Sequence, residues 1–219
     1  MIRFNNVSKY YPSRSGRQFV FRDVCLDIPT DRNIGLLGPN GVGKSTFMKM
    51  VGGADRPSRG TITVDQKISW PIGLGGGLQG SMTARENVRF VARINGYKDS
   101  KPIEKFVDEF AEIGKYFDEP IKTYSSGMRA RVGFGLSFAF DFDVLLMDEV
   151  GAVGDQNFKK KSAKLLREKT SSSKVILVSH SISQHQKLCE SGLVIKNQSL
   201  FFYDQIGDAI NDYERTYVK

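Results

Sequence analysis

Cys25 and Cys189 are the only cysteines in 219 residues. They have no metal-ligand spacing and form no disulfide framework, which predicts reduced structural thiols. Long apolar runs are missing too. Val144 to Met147 and Val175 to Val178 extend only a few residues, whereas a membrane-spanning helix needs about 20, so no bilayer crossing by this chain alone is expected. The N-terminus, Met1-Ile2-Arg3-Phe4-Asn5-Asn6, lacks an apolar signal region, and the expectation is retention in the cytosol. There is no internal repeat and no low-complexity tract. What is present excludes disorder as the main reading: 40% hydrophobic and 26% charged residues suit one folded domain with a real core and room for a subdomain. Lys+Arg 32 against Asp+Glu 24, a net charge of +8, predicts an acidic partner without choosing among nucleic acid, an anionic membrane surface and a polyanionic ligand.

Strand-like and helix-like segments alternate. Ile2, Phe4 and Val7, then Phe19 to Ile28, read as early strands, and Asn33 to Leu37 as a buried strand leading into a helix over Lys44 to Val51. Helical stretches follow at Thr83 to Ile94, opened by the capping-box pattern Thr83-Ala84-Arg85-Glu86, at Pro102 to Tyr116 and at Ser126 to Ala139. Phe142 to Met147 returns to a buried strand, Phe158 to Lys169 to a helix and Lys174 to Ser179 to a strand; Gly192 to Tyr203 reads as a hairpin and Asp204 to Val218 as a closing helix. This interleaving predicts a largely parallel sheet covered on both faces, with an inserted helical lobe. Lys159-Lys160-Lys161 reads as a solvated helix face.

Gly38-Pro39-Asn40-Gly41-Val42-Gly43-Lys44-Ser45-Thr46 contains G-x-x-x-x-G-K-[ST] between a buried strand and a helix, the context of a phosphate-binding P-loop. Its glycines let the backbone amides turn inward around the phosphates at a helix N-terminus. Lys44 supplies a cation to the terminal phosphates, and the Ser45 hydroxyl is placed to ligate Mg²⁺. Val144-Leu145-Leu146-Met147 ends in Asp148-Glu149. On this reading Asp148 holds Mg²⁺ at the carboxyl edge of the sheet, and Glu149, pointing the other way, polarises the water that attacks the γ-phosphate. Another apolar strand, Val175 to Ser179, ends in His180, in reach of the same phosphate; His185 reads as an ordinary core or surface residue. Gly75-Gly76-Gly77-Leu78-Gln79-Gly80 matches G-x-G-x-x-G but opens no helix, and reads as a flexible loop rather than a dinucleotide site.

Tyr124-Ser125-Ser126-Gly127-Met128-Arg129-Ala130-Arg131 opens a helix about twenty residues before the acidic pair. Ser125 and the amides of Ser126 and Gly127 form an anion site at that helix N-terminus. The segment resembles the signature motif of ATP-binding-cassette ATPases, with Tyr124 in place of leucine, Ser126 of glycine and Met128 of glutamine. The resemblance covers nearly the whole chain. It implies an α/β fold: a P-loop NTPase (RecA-like) core with a parallel sheet, an N-terminal antiparallel β part and an inserted α-helical subdomain, with about 1–75 and 141–219 as core and 76–140 as helical subdomain. It further implies that Tyr11 stacks on adenine, Tyr10 being the second candidate. By the same resemblance Ser125, Ser126 and Gly127 cap the γ-phosphate bound by the other subunit, and Asp155 is the inter-subunit aspartate. The family's coupling glutamine has no match at Gly73-Leu74-Gly75; either Gln79 serves from a shifted position or the loop couples without one.

Ile68-Ser69-Trp70-Pro71, Leu78 to Thr83, Tyr124 to Met128 and Asp148 to Asp155 together resemble the ATP-binding subunits of capsular polysaccharide exporters in Gram-negative bacteria. The implied protein binds and hydrolyses ATP with Mg²⁺, as a head-to-tail homodimer on an integral-membrane permease at the cytoplasmic face of the inner membrane. Its cargo is expected to be an anionic or lipid-linked polysaccharide, with no nucleic acid bound. O-antigen and teichoic-acid exporters share the last two motifs but often carry a C-terminal addition, and the end of this chain soon after its closing helix favours the capsule type. The rival is a soluble cassette ATPase acting on nucleic acid or ribosomes, to which +8 would also appeal, although no second cassette or long coiled-coil insertion is present. A P-loop kinase or GTPase leaves Ser125-Ser126-Gly127 unexplained.

Overall fold

The computed structural model describes residues 1–14, 16–72, 77–148 and 155–218. In chain order its elements are β1 (Ile2–Ser13), β2 (Gly16–Ile28), β3 (Ile34–Leu37), α1 (Lys44–Val51), β4 (Arg59–Val64), α2 (Ala84–Ile94), α3 (Lys101–Ala111), α4 (Ser126–Phe138), β5 (Val144–Asp148), α5 (Gln156–Ser172), β6 (Lys174–Val178), α6 (Ile182–Leu188), β7 (Ser191–Lys196), β8 (Ser199–Tyr203) and α7 (Ile206–Tyr217). They group into two compact units, Met1–Pro71 with Phe142–Glu149 and Ser172–Lys219, and Ile72–Asp141 with Val150–Ser171.

The first unit holds two sheets, an antiparallel β2-β1-β4 and a five-stranded β5-β6-β3-β7-β8 that is parallel except for β8. Helix α1 lies in the core they share. Phe47 stacks on Phe4 of β1 with ring centroids 5.8 Å apart, and the same cluster includes Leu146 of β5, Ile176 of β6 and Leu193 of β7. Continuous apolar strands such as Val144 to Met147 are buried because the parallel sheet is covered on both faces. The β7–β8 hairpin turns through Asn197 and Gln198, both left-handed at φ 51° and 60°, the twist that a two-residue hairpin requires. Strand β4 has no counterpart in the sequence reading. Its Thr-Ile-Thr-Val alternation is there, but most of it is exposed at a sheet edge, so it carries no strong apolar signal.

Gly35 of β3 lies opposite Gly192 of β7. A Cβ on Gly35 would come within 2.6 Å of His185 Nδ1, and one on Gly192 within 2.3 Å of the Ala209 Cβ. Two absent side chains thus make the seat on which α6 and α7 pack. His185 is fully buried there. Its Nε2 lies 3.1 Å from the Ser179 carbonyl, which can only accept, so Nε2 carries the proton; Nδ1 has no hydrogen-bond partner among the described residues.

The second unit is helical. Phe110 of α3, Phe134 of α4 and Phe158 of α5 form one aromatic cluster, with centroids 5.8 Å (110–134) and 5.3 Å (110–158) apart. A Cβ on Gly135 would sit 3.0 Å from Phe110, so this glycine sets how closely α3 and α4 approach. The capping box at Thr83 forms as expected, with Thr83 Oγ1 accepting from Glu86 N and Glu86 Oε2 accepting from Thr83 N. Helix α3 stops at Ala111 rather than running on to Tyr116, because Glu112 turns left-handed at φ 51° and a short 3₁₀ turn, Gly114–Asp118, follows. Helix α5 groups with these helices by contact, through Phe158, the Arg131–Asp155 pair and the Lys161–Glu112 pair. The loop expected to be flexible is tied down beyond Gly76. Buried Asn87 accepts from Gln79 N and donates to the carbonyls of Gln79 and Thr83, and the carbonyls of Gly80 and Met82 accept from Lys122 N and Ile121 N.

Burial holds the His185 imidazole below its ordinary value of 6.5, against a smaller opposing effect of the Ser179 carbonyl. The unfolded chain therefore takes up a proton that the folded chain refuses, and this part of the stability is complete above about pH 6.5 and lost as pH falls below it. Urea unfolding at stepped pH between 7.5 and 5 should show that loss, at most about 1.4 kcal/mol per pH unit from one site. His185→Gln should flatten it; an unchanged slope in the variant assigns the effect to other groups.

Candidate functional site

The carboxyl end of β3 feeds the loop of residues 38–43 into α1. Gly43 adopts φ +120°, and a Cβ there would lie 2.3 Å from Val20 Cγ1. Val20 is the extra residue in β2 between the pairs Lys9–Phe21 and Tyr10–Phe19, so a bulge in the antiparallel sheet presses on the loop from behind. Gly41 is also left-handed, at φ +77°. No side chain caps α1 and its first turn contains no acid, which leaves backbone donors and the positive helix end facing outward. Lys44 Nζ donates to the carbonyls of Gly38 and Pro39 at 2.7 and 3.0 Å. A cavity of about 230 Å³ opens here, lined by Asn40, Gly41, Gly43, Lys44, Ser45 and Thr46, with Asp148 and Val178.

Sheet register brings Asp148 to this loop. Asp148 of β5 pairs with Val178 of β6, which pairs with Leu36 of β3, so all three strands end level at the carboxyl edge, where open α/β sheets bind ligands. A hydroxyl and a carboxylate beside an uncapped helix N-terminus fit Mg²⁺, which is held by one or two carboxylates together with substrate phosphates. No cluster of three or more His, Cys, Asp or Glu able to hold a metal by itself occurs among the described residues. Gly38, Pro39 and Val42 shape the loop and do not line the cavity; Val42 packs against the core. Glu149 lies outside the described residues, as do Gly73 to Gly76. His180 stands two residues beyond Val178 and is exposed. Tyr11 is 41% exposed, with its hydroxyl donating to Asp55 Oδ2 at 3.1 Å and Lys9 Nζ over its ring.

In the second unit Ser125 is the N-cap of α4, its hydroxyl accepting from Met128 N at 3.2 Å. Ser126 and Gly127 form the first turn, again without an acid. Tyr124, just before this N-cap, is buried, and its hydroxyl donates to the Tyr116 carbonyl at 2.5 Å. Asp155 caps α5 through the amides of Asn157 and Phe158 and pairs with Arg131 of α4 at 2.5 Å. Those amides, ahead of Arg131, hold its carboxyl below the usual range. Gln79 is fixed by its backbone and exposes its side chain. Arg131, Asn87 and Asp55 escaped the sequence reading. Each acts on a partner between 8 and 44 residues away, and no local pattern marks such a pairing.

A family model described as ABC transporter matches residues 21–152. The polysialic acid transport ATP-binding protein KpsT of Escherichia coli is 48% identical over 216 residues, 98% of this chain and 96% of that protein. The capsule polysaccharide export ATP-binding protein CtrD of Neisseria meningitidis serogroup B is 40% identical over 213 residues, 97% of this chain and 98% of that protein. Among solved structures, the dimeric post-hydrolysis state of the ATP-binding cassette MJ0796 bound to ADP and Pi aligns with a TM-score of 0.72 at 22% identity, covering 94% of this chain and 99% of that one.

Gly43→Ala should be the most damaging small change in the loop, since it meets both a left-handed φ and Val20. A fluorescent-nucleotide titration should show at least about tenfold weaker binding, and denaturation a loss of about 1–3 kcal/mol. Adding Val20→Ala should recover part of the stability; no recovery would place the whole effect in φ.

Proposed function

The chain belongs to the ABC transporter family, as an ATP-hydrolysing subunit, and from that premise we propose that it drives export of a capsule-type polysaccharide across the bacterial inner membrane. The observation that carries this reading is 48% identity over nearly the full length of a polysialic acid transport ATP-binding protein. The cargo is an anionic or lipid-linked polysaccharide. No helix among the described residues is long and apolar enough to cross a membrane, and the reading assigns the crossing to a separate integral-membrane permease, with this subunit on its cytoplasmic face.

ATP phosphates sit on the uncapped N-terminus of α1, where the amides of the 38–46 loop and Lys44 offset their charge. Ser45 and Asp148 would hold Mg²⁺ together with the phosphates, and the chemistry it would supply there is neutralisation of charge on the phosphoryl oxygens. Glu149 orients and deprotonates the attacking water, His180 reports on the γ-phosphate, and Tyr11 stacks on adenine. Two copies dimerise head to tail. Ser125, with the amides of Ser126 and Gly127, then supplies donors to the γ-phosphate held by the other copy, and Asp155 aligns the junction. A loose phosphoryl-transfer transition state is stabilised mainly by positioned charge, so a single copy, lacking the second set of donors, turns over slowly. Gln79, displayed by its clamped backbone, faces the permease. On this reading about 1–75 and 141–219 form the nucleotide core and about 76–140 the helical subdomain.

Glu149→Gln should bind ATP as wild type, lose turnover by at least about a hundredfold and accumulate as a dimer on size exclusion; normal turnover removes Glu149 as the base. The export assignment is tested in cells lacking the chromosomal copy. Polysaccharide should accumulate inside, wild-type protein should restore its export and Lys44→Ala should not, and the protein should co-purify with a permease from detergent-solubilised membranes. Recovery as a soluble protein carrying RNA, with export unaffected, defeats the reading.

A further inference from the structure

We propose that Lys9 and Asp55 are positioning residues that lock the Tyr11 ring as a base platform, so that α1 sets both the phosphate end and the base end of the bound nucleotide. The inference rests on the reading of Tyr11 as the aromatic that stacks on adenine. Lys9 is only 7% exposed. Its Nζ donates to Asp55 Oδ1 at 2.7 Å and to the Arg56 carbonyl at 2.8 Å, and lies 4.9 Å from the centroid of the Tyr11 ring. Asp55 closes the circuit: Oδ1 also accepts from Arg56 N at 2.7 Å, and Oδ2 accepts from the Tyr11 hydroxyl at 3.1 Å. Lys9, followed by the Arg56 amide and the Tyr11 hydroxyl, keeps that carboxylate ionised, well below its ordinary range.

Asp55 is itself fastened to α1. The amides of Ala54 and Asp55 both donate to the carbonyl of Lys49, at 2.8 and 3.1 Å. Ser58 ties the same turn to β1, donating from its amide to the Ser8 carbonyl at 2.8 Å and accepting from Tyr10 N at 3.2 Å. Phosphate loop and aromatic clamp therefore stand at opposite ends of one eight-residue helix. Despite these restraints Tyr11 stays 41% exposed. The ammonium covers one ring face and the hydroxyl is held at its edge, leaving the other face for a flat neutral base. A pair of apolar residues would seal this turn as well as a buried ion pair does; the ion pair adds a fixed ring orientation.

Binding of mant-ADP and of inorganic tripolyphosphate, which has no base, separates the roles. Tyr11→Phe keeps the ring and the Lys9–Asp55 pair and removes only the hydroxyl link, so it is the variant least able to disturb folding; thermal unfolding checks each protein. Tyr11→Ala should weaken mant-ADP binding by at least about tenfold. Tyr11→Phe and Asp55→Asn should each weaken it about threefold to fivefold, and the double variant should lose less than the product of the two, since both act on the Tyr11–Asp55 contact while Asp55→Asn also weakens the hold on Lys9. Tripolyphosphate affinity should stay within about twofold of wild type in every variant, and in Asp55→Asn the KM for ATP should rise while turnover at saturating ATP stays within about twofold of wild type. Wild-type affinity in Tyr11→Phe and Asp55→Asn beside a weakened Tyr11→Ala overturns the clamp and leaves the platform standing. Wild-type affinity in Tyr11→Ala removes the adenine reading, and the clamp with it. Equal losses for mant-ADP and tripolyphosphate, or a fall in kcat at constant KM, reduce Lys9 and Asp55 to structural support.

Discussion

Helix α1 is gripped on two sides. Phe47 stacks on Phe4 of the antiparallel sheet, and the same core includes strands of the parallel sheet. Burial of Phe47, Met48, Met50 and Val51, each worth about 1.5–3 kcal/mol as apolar area removed from water, holds a short helix of low intrinsic stability in one position. That fixed position lets the helix end in bare amides. A flanking acid or capping hydroxyl would satisfy the N-terminus locally and compete with an anion; here tertiary packing supplies the stability instead, and the donors stay available for phosphate.

The same division of labour extends along the carboxyl edge of the sheet. Asp148 reaches the loop because β5, β6 and β3 end in register, not because it is near in sequence. The loop itself is held from behind by Val20, on a bulge of the other sheet. In the helical unit the cementing is aromatic and ionic: stacked phenylalanines set the spacing of α3, α4 and α5, while Arg131, over the ring of Phe158, joins α4 to Asp155. Here too a helix start, α4, carries no acid in its first turn. Both units thus contain a helix whose first turn carries no acid, so its positive end is not offset locally.

Much of this was legible beforehand, and the reason differs by element. Buried parallel strands announce themselves as apolar runs, the loop between β3 and α1 by glycines at fixed spacing, and α2 by a capping box that forms as written. Strand β4 was hidden because an exposed edge strand needs no apolar face. The end of α3 was hidden because nothing in Glu112 advertises a left-handed residue. The loop after Gly76 looked loose from its glycines, yet a buried asparagine on α2 holds it.

What the residues determined by themselves were the local motifs: which strand ends in a glycine-rich loop, which in a carboxylate pair, and which helix opens with Ser-Ser-Gly. These depend on interactions within a few positions, and local chemistry is enough to specify them. Only the tertiary structure decided what stands behind each motif. The glycine pair that seats α6 and α7, the buried His185, the Lys9–Asp55–Tyr11 circuit and the Arg131–Asp155 pair all join residues distant in the chain. Such contacts are settled by register and side-chain volume once the sheets assemble, and neither periodicity nor motif spacing encodes them.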